Sequence, residues 1–275
     1  MEKYALLGYP LHHTLSPFIH ERLFALSGRA ADYQLAEAPA ERLASLMPEL
    51  LKVSGFNVTI PHKQAVIGYL DGLDESAARY RAVNAVKCGK ERIGYNTDVY
   101  GFTESIAALK GDLTGKVLLL GCGGVARMMA AEVVIRGGEL TIAVRSEDRL
   151  AAEELKGFLG GVRAGAKAEV VPLSDIAGKY SLLLNGTPVG MYPNTDESPV
   201  GEDVVSACSA VFEVIYNPVK TKLMRIAESL KKPVLGGMGM LVYQAARSHE
   251  IWYGASFERG DLLQLISDCN QRLKK

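Results

Sequence analysis

The chain has 275 residues, 48% of them hydrophobic, with 31 basic and 31 acidic side chains and no block of like charge. That length allows two domains with proper cores or one large α/β domain. The balanced charge argues against a nucleic-acid surface or a polybasic membrane patch, both of which need a concentrated positive field. No apolar run approaches the roughly 20 residues that span a bilayer, so the chain reads as soluble. Cys88, Cys122, Cys208 and Cys269 are scattered without metal-ligand spacing and read as structural thiols of a reducing cytosol.

Tyr4–Gly8 reads as a first strand, being too short for a signal-peptide core. Ser16 and Pro17 then open a helix with Phe18, Ile19, Leu23 and Leu26 on one face, serine as its cap and proline at its first position. Tyr33–Ala36 is the second strand and Glu41–Leu51 the second helix. Asn57–Ile60 alternates in polarity as a half-buried strand does, and Pro61 ends it by removing a ladder donor. Helical segments follow near Gln64–Leu70 and Glu75–Arg81. Ala82–Lys87 and Arg92–Tyr95 pair as strands across Gly89 and Lys90. A helix over Val99–Leu109, for which Asp98 offers an N-cap, leads to the polar boundary Lys110–Lys116. Beyond it come strand Val117–Leu120, helix Ala126–Arg136, strand Glu139–Val144 and the short strands Ser181–Leu184 and Ala210–Val214. Helices near Lys220–Leu230, Gly239–His249 and Phe257–Leu273 close the chain. This alternation predicts an α/β fold with mostly parallel sheet.

Val117–Arg127 runs strand, glycine turn and helix start, the order a Rossmann dinucleotide fingerprint requires. Gly121 permits the tight turn, Gly123 brings backbone close to a pyrophosphate, and Ala126 is small enough for helix–strand packing. The N–H groups of the helix start, at Gly124 and Val125, face phosphates. An NAD site places a carboxylate at the end of the next strand. Here that strand ends Ala143-Val144-Arg145-Ser146, with Arg149 one turn on, and guanidinium forks match a phosphate. The pair predicts NADP, with Glu147 and Asp148 offsetting part of the field.

Lys63 follows its strand at the carboxyl edge, where open α/β sheets bind ligands. Reducing a ketone by hydride leaves an alkoxide that must be stabilised and protonated. A lysine ammonium does both, and the carboxylate of Asp98 orients it while accepting a substrate hydroxyl. Short polar side chains such as Thr59, Asn84 and Gln244 suit a polyol acid.

His13–Pro17, Asn57–Lys63, Ala82-Val83-Asn84, Tyr95–Asp98, Gly101-Phe102, Gly121–Gly124, Asn185–Met191, Tyr216-Asn217-Pro218 and Gly239–Gln244 together resemble the shikimate dehydrogenase family. The likeness covers nearly the whole chain. It implies NADPH-linked, reversible reduction of 3-dehydroshikimate to shikimate, a cytoplasmic step of aromatic amino-acid (chorismate) biosynthesis. By the same likeness Lys63 is the catalytic acid/base and Asp98 its partner. Asn84, Thr59 and Gln244 hold the substrate's hydroxyls, Tyr216 lines its pocket, and Thr14 and Ser16 bind its carboxylate. The Asn185–Met191 loop, Val214 and the turn at Gly237 border the nicotinamide, with Gly237 letting cofactor approach the backbone. His13, His20 and His62 read as packing or surface residues.

The expected organisation is two domains. An N-terminal α/β substrate domain spans 1–100, a Rossmann-type doubly wound NADP-binding domain spans 101–236, and C-terminal helices 237–275 return to the first, with the active site in the cleft between. Three departures from the family pattern stand out: Thr14 for a serine, Val144 for an asparagine, and Glu213 for an aspartate. Thr14 leaves open a quinate/shikimate dehydrogenase or a paralogue for a shikimate analogue. A nonenzymatic NADP-binding sensor is the remaining alternative. Neither metal nor macromolecular partner is expected, and the sequence leaves a homodimer open.

Overall fold

The computed structural model describes residues 1–11 and 14–274; His13 lies outside the described residues. The chain divides into two compact units. One comprises Met1–Gly101 with Val242–Cys269, and the other Phe102–Leu241 with a short tail from Asn270.

In the first unit β1 (Glu2–Gly8), β2 (Ala31–Glu37), β3 (Gly55–Val58), β4 (Gly72–Leu73), β5 (Ala85–Cys88) and β6 (Arg92–Tyr95) form one sheet, ordered β2-β1-β3-β5-β6-β4. β1 is parallel to β2 and β3, whereas β5 is antiparallel to both β3 and β6. Its helices are α1 (Ser16–Leu26), α2 (Leu43–Leu50), α3 (Glu75–Tyr80) and the start of α4 (Asp98–Leu109). Ala5, Leu7, Phe56 and Val58 pack with Leu43, Met47 and Leu50 of α2 on one face. Tyr4 packs with Phe24 and Trp252 on the other.

β3 therefore departs from the half-buried expectation. All four of its residues are buried, because both faces of this sheet are covered. The strand stops at Val58, and Ile60 stands 70% exposed in the loop beyond it. At α1 the expected cap also shifts. Leu15 is the N-cap and Ser16 the first helical residue, whose N–H is accepted by the Thr14 hydroxyl at 3.2 Å. Asp98 is likewise the first residue of α4 rather than its cap, and its N–H goes to Asn96 Oδ1 at 3.1 Å. The segment after Lys63 is a 3-10 helix, Ala65–Tyr69.

In the second unit β7 (Lys116–Leu120), β8 (Glu139–Val144), β9 (Lys167–Pro172), β10 (Leu182–Asn185), β11 (Val211–Glu213) and β12 (Val234–Leu235) form an all-parallel sheet, ordered β12-β11-β10-β7-β8-β9. The order reverses between β7 and β10, the switch point of a doubly wound Rossmann sheet. Its helices are the rest of α4, then α5 (Gly124–Ile135), α6 (Arg149–Val162), α7 (Glu202–Ser206), α8 (Lys222–Ser229) and the first turn of α9 (Met238–Tyr253). α9 continues into the first unit, where α10 (Arg259–Arg272) begins. Leu118, Leu120, Leu183 and Val211 of the strands pack with Leu223 and Ala227 of α8. α6 and β9 are absent from the sequence expectation, as are the short α7, β4 and β12.

Candidate active site

The sheet of the first unit delivers its polar residues to one place. Lys63 follows the loop after β3, and its backbone carbonyl accepts from Val83 N–H at 2.7 Å. Its Nζ donates to Asp98 Oδ2 at 2.6 Å, with the two side chains 24% and 16% exposed. The pair is partly withdrawn from water yet still reachable by a ligand. Asp98 Oδ1 accepts from Asn84 Nδ2 at 2.9 Å, so both carboxylate oxygens act as acceptors and the acid is held on two sides.

Asn84, just ahead of β5, has its amide orientation fixed. Its Oδ1 accepts the Thr97 backbone N–H at 2.6 Å, which leaves Nδ2 to face Thr97 Oγ1 at 3.0 Å, Asp98 Oδ1 and Gln244 Oε1 at 3.2 Å. Gln244 arrives from α9, 160 residues further along the chain. Lys63, Asp98, Asn84 and Gln244 thus form one cluster. Thr14 and Ser16 form a separate hydroxyl pair, Thr14 Oγ1 donating to Ser16 Oγ at 3.1 Å. The Thr59 hydroxyl makes no hydrogen bond among the described residues, while its N–H is anchored to Leu7 O at 2.8 Å. Tyr216 belongs to the second unit, where burial pushes its hydroxyl pKa up.

Sequence reasoning missed a buried layer that supports the cluster. Asn57 Nδ2 donates to the Asn84 carbonyl at 3.2 Å and to Ser248 Oγ at 2.9 Å, and Ser248 Oγ donates to the Gln244 carbonyl at 3.0 Å. Tyr33 donates its hydroxyl to Asn57 Oδ1 at 2.9 Å. One amide therefore braces both Asn84 and Gln244 from below. The signal available in sequence was a polar residue inside a strand otherwise made of Gly, Phe and Val.

Of the histidines near these motifs, the two described ones, His20 and His62, take the packing side of the expectation. His20 and His62 are each 1% exposed. His62 lies against Ala38 O at 2.6 Å and so presents Nε2–H to it. His20 stacks on Tyr33 with ring centroids 4.1 Å apart.

In the second unit the glycine turn matches a dinucleotide. Gly121 has φ +91°, and a Cβ there would sit 2.9 Å from Thr187 Cγ2, so both conformation and space demand glycine. Gly123 is the N-cap of α5 and Gly124 its first residue; a Cβ on either would meet nothing within 4 Å. Gly123 and Gly124 are exposed and border open space at a helix N-terminus, as an anion requires, whereas Val125 is half-buried and Ala126 is buried behind them. Arg145 and Arg149 flank a cavity of about 70 Å³ with Val144, Ser146 and Pro172. The donor set fits a phosphorylated dinucleotide. Arg145 is already engaged, however, meeting Asp148 at 2.8 Å and Glu147 at 3.3 Å.

Gly237 departs from the role expected of it. A Cβ there would lie 1.9 Å from the Val214 carbonyl oxygen, so the chain's own backbone, rather than an approaching ligand, fills that space. Val214 is half-buried at the end of β11, its N–H donating to Asn185 O at 3.2 Å.

Residues 6–86 match the model of the shikimate dehydrogenase substrate binding domain. A Moorella thermoacetica protein named shikimate dehydrogenase (NADP(+)) is 39% identical over 264 residues, covering 91% of this chain and 87% of the relative. Among solved structures, a chorismate mutase/shikimate 5-dehydrogenase fusion protein from Clostridium acetobutylicum superposes with a TM-score of 0.90 at 30% identity, covering 100% of this chain and 99% of that one. A shikimate 5-dehydrogenase from Thermus thermophilus, solved with NADP(H) and shikimate, gives 0.85 at 29% identity, covering 98% of this chain and 100% of that one. With identity of this level sustained over nine-tenths of its length, the chain belongs to the shikimate dehydrogenase family.

Proposed function

We propose that the chain catalyses the NADPH-linked, reversible reduction of 3-dehydroshikimate to shikimate. The observation that carries the reading is the Lys63–Asp98–Asn84 arrangement, an ammonium 2.6 Å from a carboxylate that is itself held at 2.9 Å. When bound, NADPH would supply a hydride to the carbonyl carbon, and the C=O π pair would be left on the oxygen as an alkoxide in need of a proton. Lys63 Nζ gives its proton to that oxygen, leaving a neutral amine that is reprotonated from solvent. Run backwards, the same amine takes the hydroxyl proton as hydride leaves.

Asp98 holds Nζ in place and offers its remaining lone pairs to a ring hydroxyl. Asn84 and Gln244, already bonded to one another, exchange that contact for substrate hydroxyls, and Thr59 has an uncommitted hydroxyl for the same use. Thr14 and Ser16 take the carboxylate. For the cofactor, the amides from Gly123 to Ala126 hold the pyrophosphate, with Gly121 shaping the turn. Arg145 and Arg149 hold the 2′-phosphate. Tyr216 and Val214 complete the reading on the nicotinamide side. On this reading the enzyme works in the cytoplasm on a small polyol acid, as a single chain or a homodimer.

Steady-state constants for shikimate and quinate, each with NADP+ and NAD+, test the proposal. Turnover of shikimate with NADP+ at the highest kcat/KM supports it, and absence of turnover on either acid defeats it. Thr14 supports one second reading, quinate use, since a single methyl in a pocket shifts selectivity only modestly. Comparable kcat/KM on both acids would favour that reading.

A further inference from the structure

Glu213, at the end of β11, is 0% exposed and forms no ion pair among the described residues. What faces it is a set of donors. Asn185 Nδ2 from the end of β10 lies 2.9 and 3.0 Å from its two oxygens. The Ile215 N–H donates to Oε1 at 3.0 Å, and the Thr221 hydroxyl, from the N-cap of α8, donates to Oε2 at 3.0 Å. None of these groups is charged. A buried carboxylate without a counter-ion is expensive to keep, so its persistence here calls for a role.

The carboxylate decides the orientation of Asn185. With Nδ2 committed to Glu213, Asn185 Oδ1 must face the other way, where it accepts Thr187 N–H at 3.0 Å and Thr187 Oγ1 at 2.8 Å. Thr187 Oγ1 in turn accepts from Val189 N–H at 3.3 Å. One acceptor group therefore sets the loop after β10, the loop after β11 and the start of α8. Both loops leave the carboxyl edge of the sheet on the far side of β7 from β8. A dinucleotide with its ribose phosphate at Arg145 and its pyrophosphate at the Gly121 turn must extend its other half over β10 and β11.

We propose that Glu213 is a positioning residue for the nicotinamide half of the cofactor, tying the two loops beneath it through the fixed amide of Asn185. This rests on the functional reading above. Burial also pushes the Glu213 pKa up to about 7, against the pull of its donors, so the clamp is neutralised within an accessible pH range. A proton there removes an acceptor lone pair and lets Asn185 turn its amide.

The test compares NADPH with 2′,5′-ADP, which carries the ribose phosphate but no nicotinamide. Glu213→Gln presents an NH2 to the Asn185 NH2 and should raise the NADPH KM about tenfold while the 2′,5′-ADP inhibition constant and the shikimate KM change by less than about twofold. Adding Asn185→Asp to Glu213→Gln exchanges carboxylate and amide, restores the donor–acceptor match, and should recover most of the NADPH KM. An unchanged NADPH KM in Glu213→Gln, an equal loss for 2′,5′-ADP, or no recovery in the double variant overturns the proposal. Should Glu213→Gln not fold, the wild-type chain decides. Its ratio of NADPH to 2′,5′-ADP dissociation constants should rise by about threefold or more from about pH 8 to about pH 6, the shared phosphate cancelling. A flat ratio overturns the proposal, whereas failure of the wild-type chain to bind either ligand sinks the functional reading instead.

Discussion

The two units bury titratable groups of opposite kind. In the first, His20 Nδ1 and His249 Nε2 are 2.8 Å apart, and His249 Nδ1 meets the Tyr253 hydroxyl at 2.5 Å. Burial, aided by the proximity of His249, holds His20 well below the usual imidazole range, and burial alone takes His249 to about 3. Both rings are neutral and need only hydrogen bonds. In the second unit Glu213 is pushed up to about 7, so at neutral pH it stands between its charged and neutral forms and requires a shell of donors. Neutral groups can be buried for packing, whereas a charge is retained only where donors converge on it. The signs of their pH dependence are opposite. The histidines have depressed pKa values, so their stabilisation is present above the unfolded value of 6.5 and is lost as pH falls toward 3. Glu213 has a raised pKa, so its contribution is full below 4.5 and is lost as pH rises through about 7.

The largest effect concerns Lys63 and Asp98, the titratable pair to which the proposed chemistry is assigned. Lys63→Ala should lower kcat by about 10³-fold or more with little change in the shikimate KM, since the lost interaction forms fully only with the developing alkoxide. Asp98→Asn should lower kcat by about 10²-fold, because Nζ loses its anchor while Asn84 keeps a partner. Near-normal turnover in Lys63→Ala would remove the lysine from the mechanism and leave Asp98 as one more structural acid.

Acid should separate the two units. Protonating the unfolded form of His249 alone withdraws about 3–5 kcal/mol of stability between about pH 6.5 and about pH 3. Trp252 is the chain's single tryptophan and lies in the first unit, its ring centroid 5.3 Å from that of His249. Its fluorescence should therefore change at a higher pH than the far-ultraviolet signal of the whole chain. Coincident transitions would show that the histidines do not govern acid stability.

The comparison also marks what can be read from sequence. The glycine turn after β7 is legible because its constraint is local: Gly121 must take a positive φ and α5 must begin at once. Lys63 and Asp98 are legible by type and likeness. The strand at Asn57 reads as alternating because alternation assumes one wet face, and here α9, nearly two hundred residues later, supplies the second cover through Ser248. β9 escapes notice since Lys-Ala-Glu-Val-Val-Pro puts its β-formers only at one end, after a glycine-rich stretch that reads as loop. Gly237 suggests a ligand because nothing in the sequence places the Val214 carbonyl against it. At Asn57 and Gly237 the deciding neighbour is distant along the chain, whereas β9 is missed for its own local composition.

Asn57 offers a neutral counterpart to Glu213, since each is a hub beneath a candidate binding site. Asn57→Ala should cost about 2–3 kcal/mol, because it strands the Tyr33 hydroxyl and leaves the Asn84 carbonyl one donor short. It should also raise the shikimate KM several-fold while leaving the NADPH KM in place. Denaturant midpoints and both Michaelis constants check this. Parallel loss of both constants would mean general loosening instead of support for Asn84 and Gln244.

The smallest effect concerns charge at the surface of the second unit, where the fold lets acids compete with the ligand. Arg145 is 61% exposed and already grips Asp148 through two nitrogens, at 2.9 and 2.8 Å. Arg149 has no such partner among the described residues. A 2′-phosphate gains little from Arg145 unless it displaces Asp148, so the uncommitted guanidinium should carry more of the discrimination. Arg149→Ala is expected to raise the NADPH KM about tenfold with the NADH KM nearly unchanged, and Arg145→Ala to raise it by only about threefold. Asp148→Asn should act in the opposite direction, freeing Arg145 and lowering the NADPH KM. If all three variants shift NADH and NADPH alike, the two arginines serve the loop and not the phosphate, and cofactor recognition in this unit would rest on the buried clamp at Glu213 instead of these exposed charges.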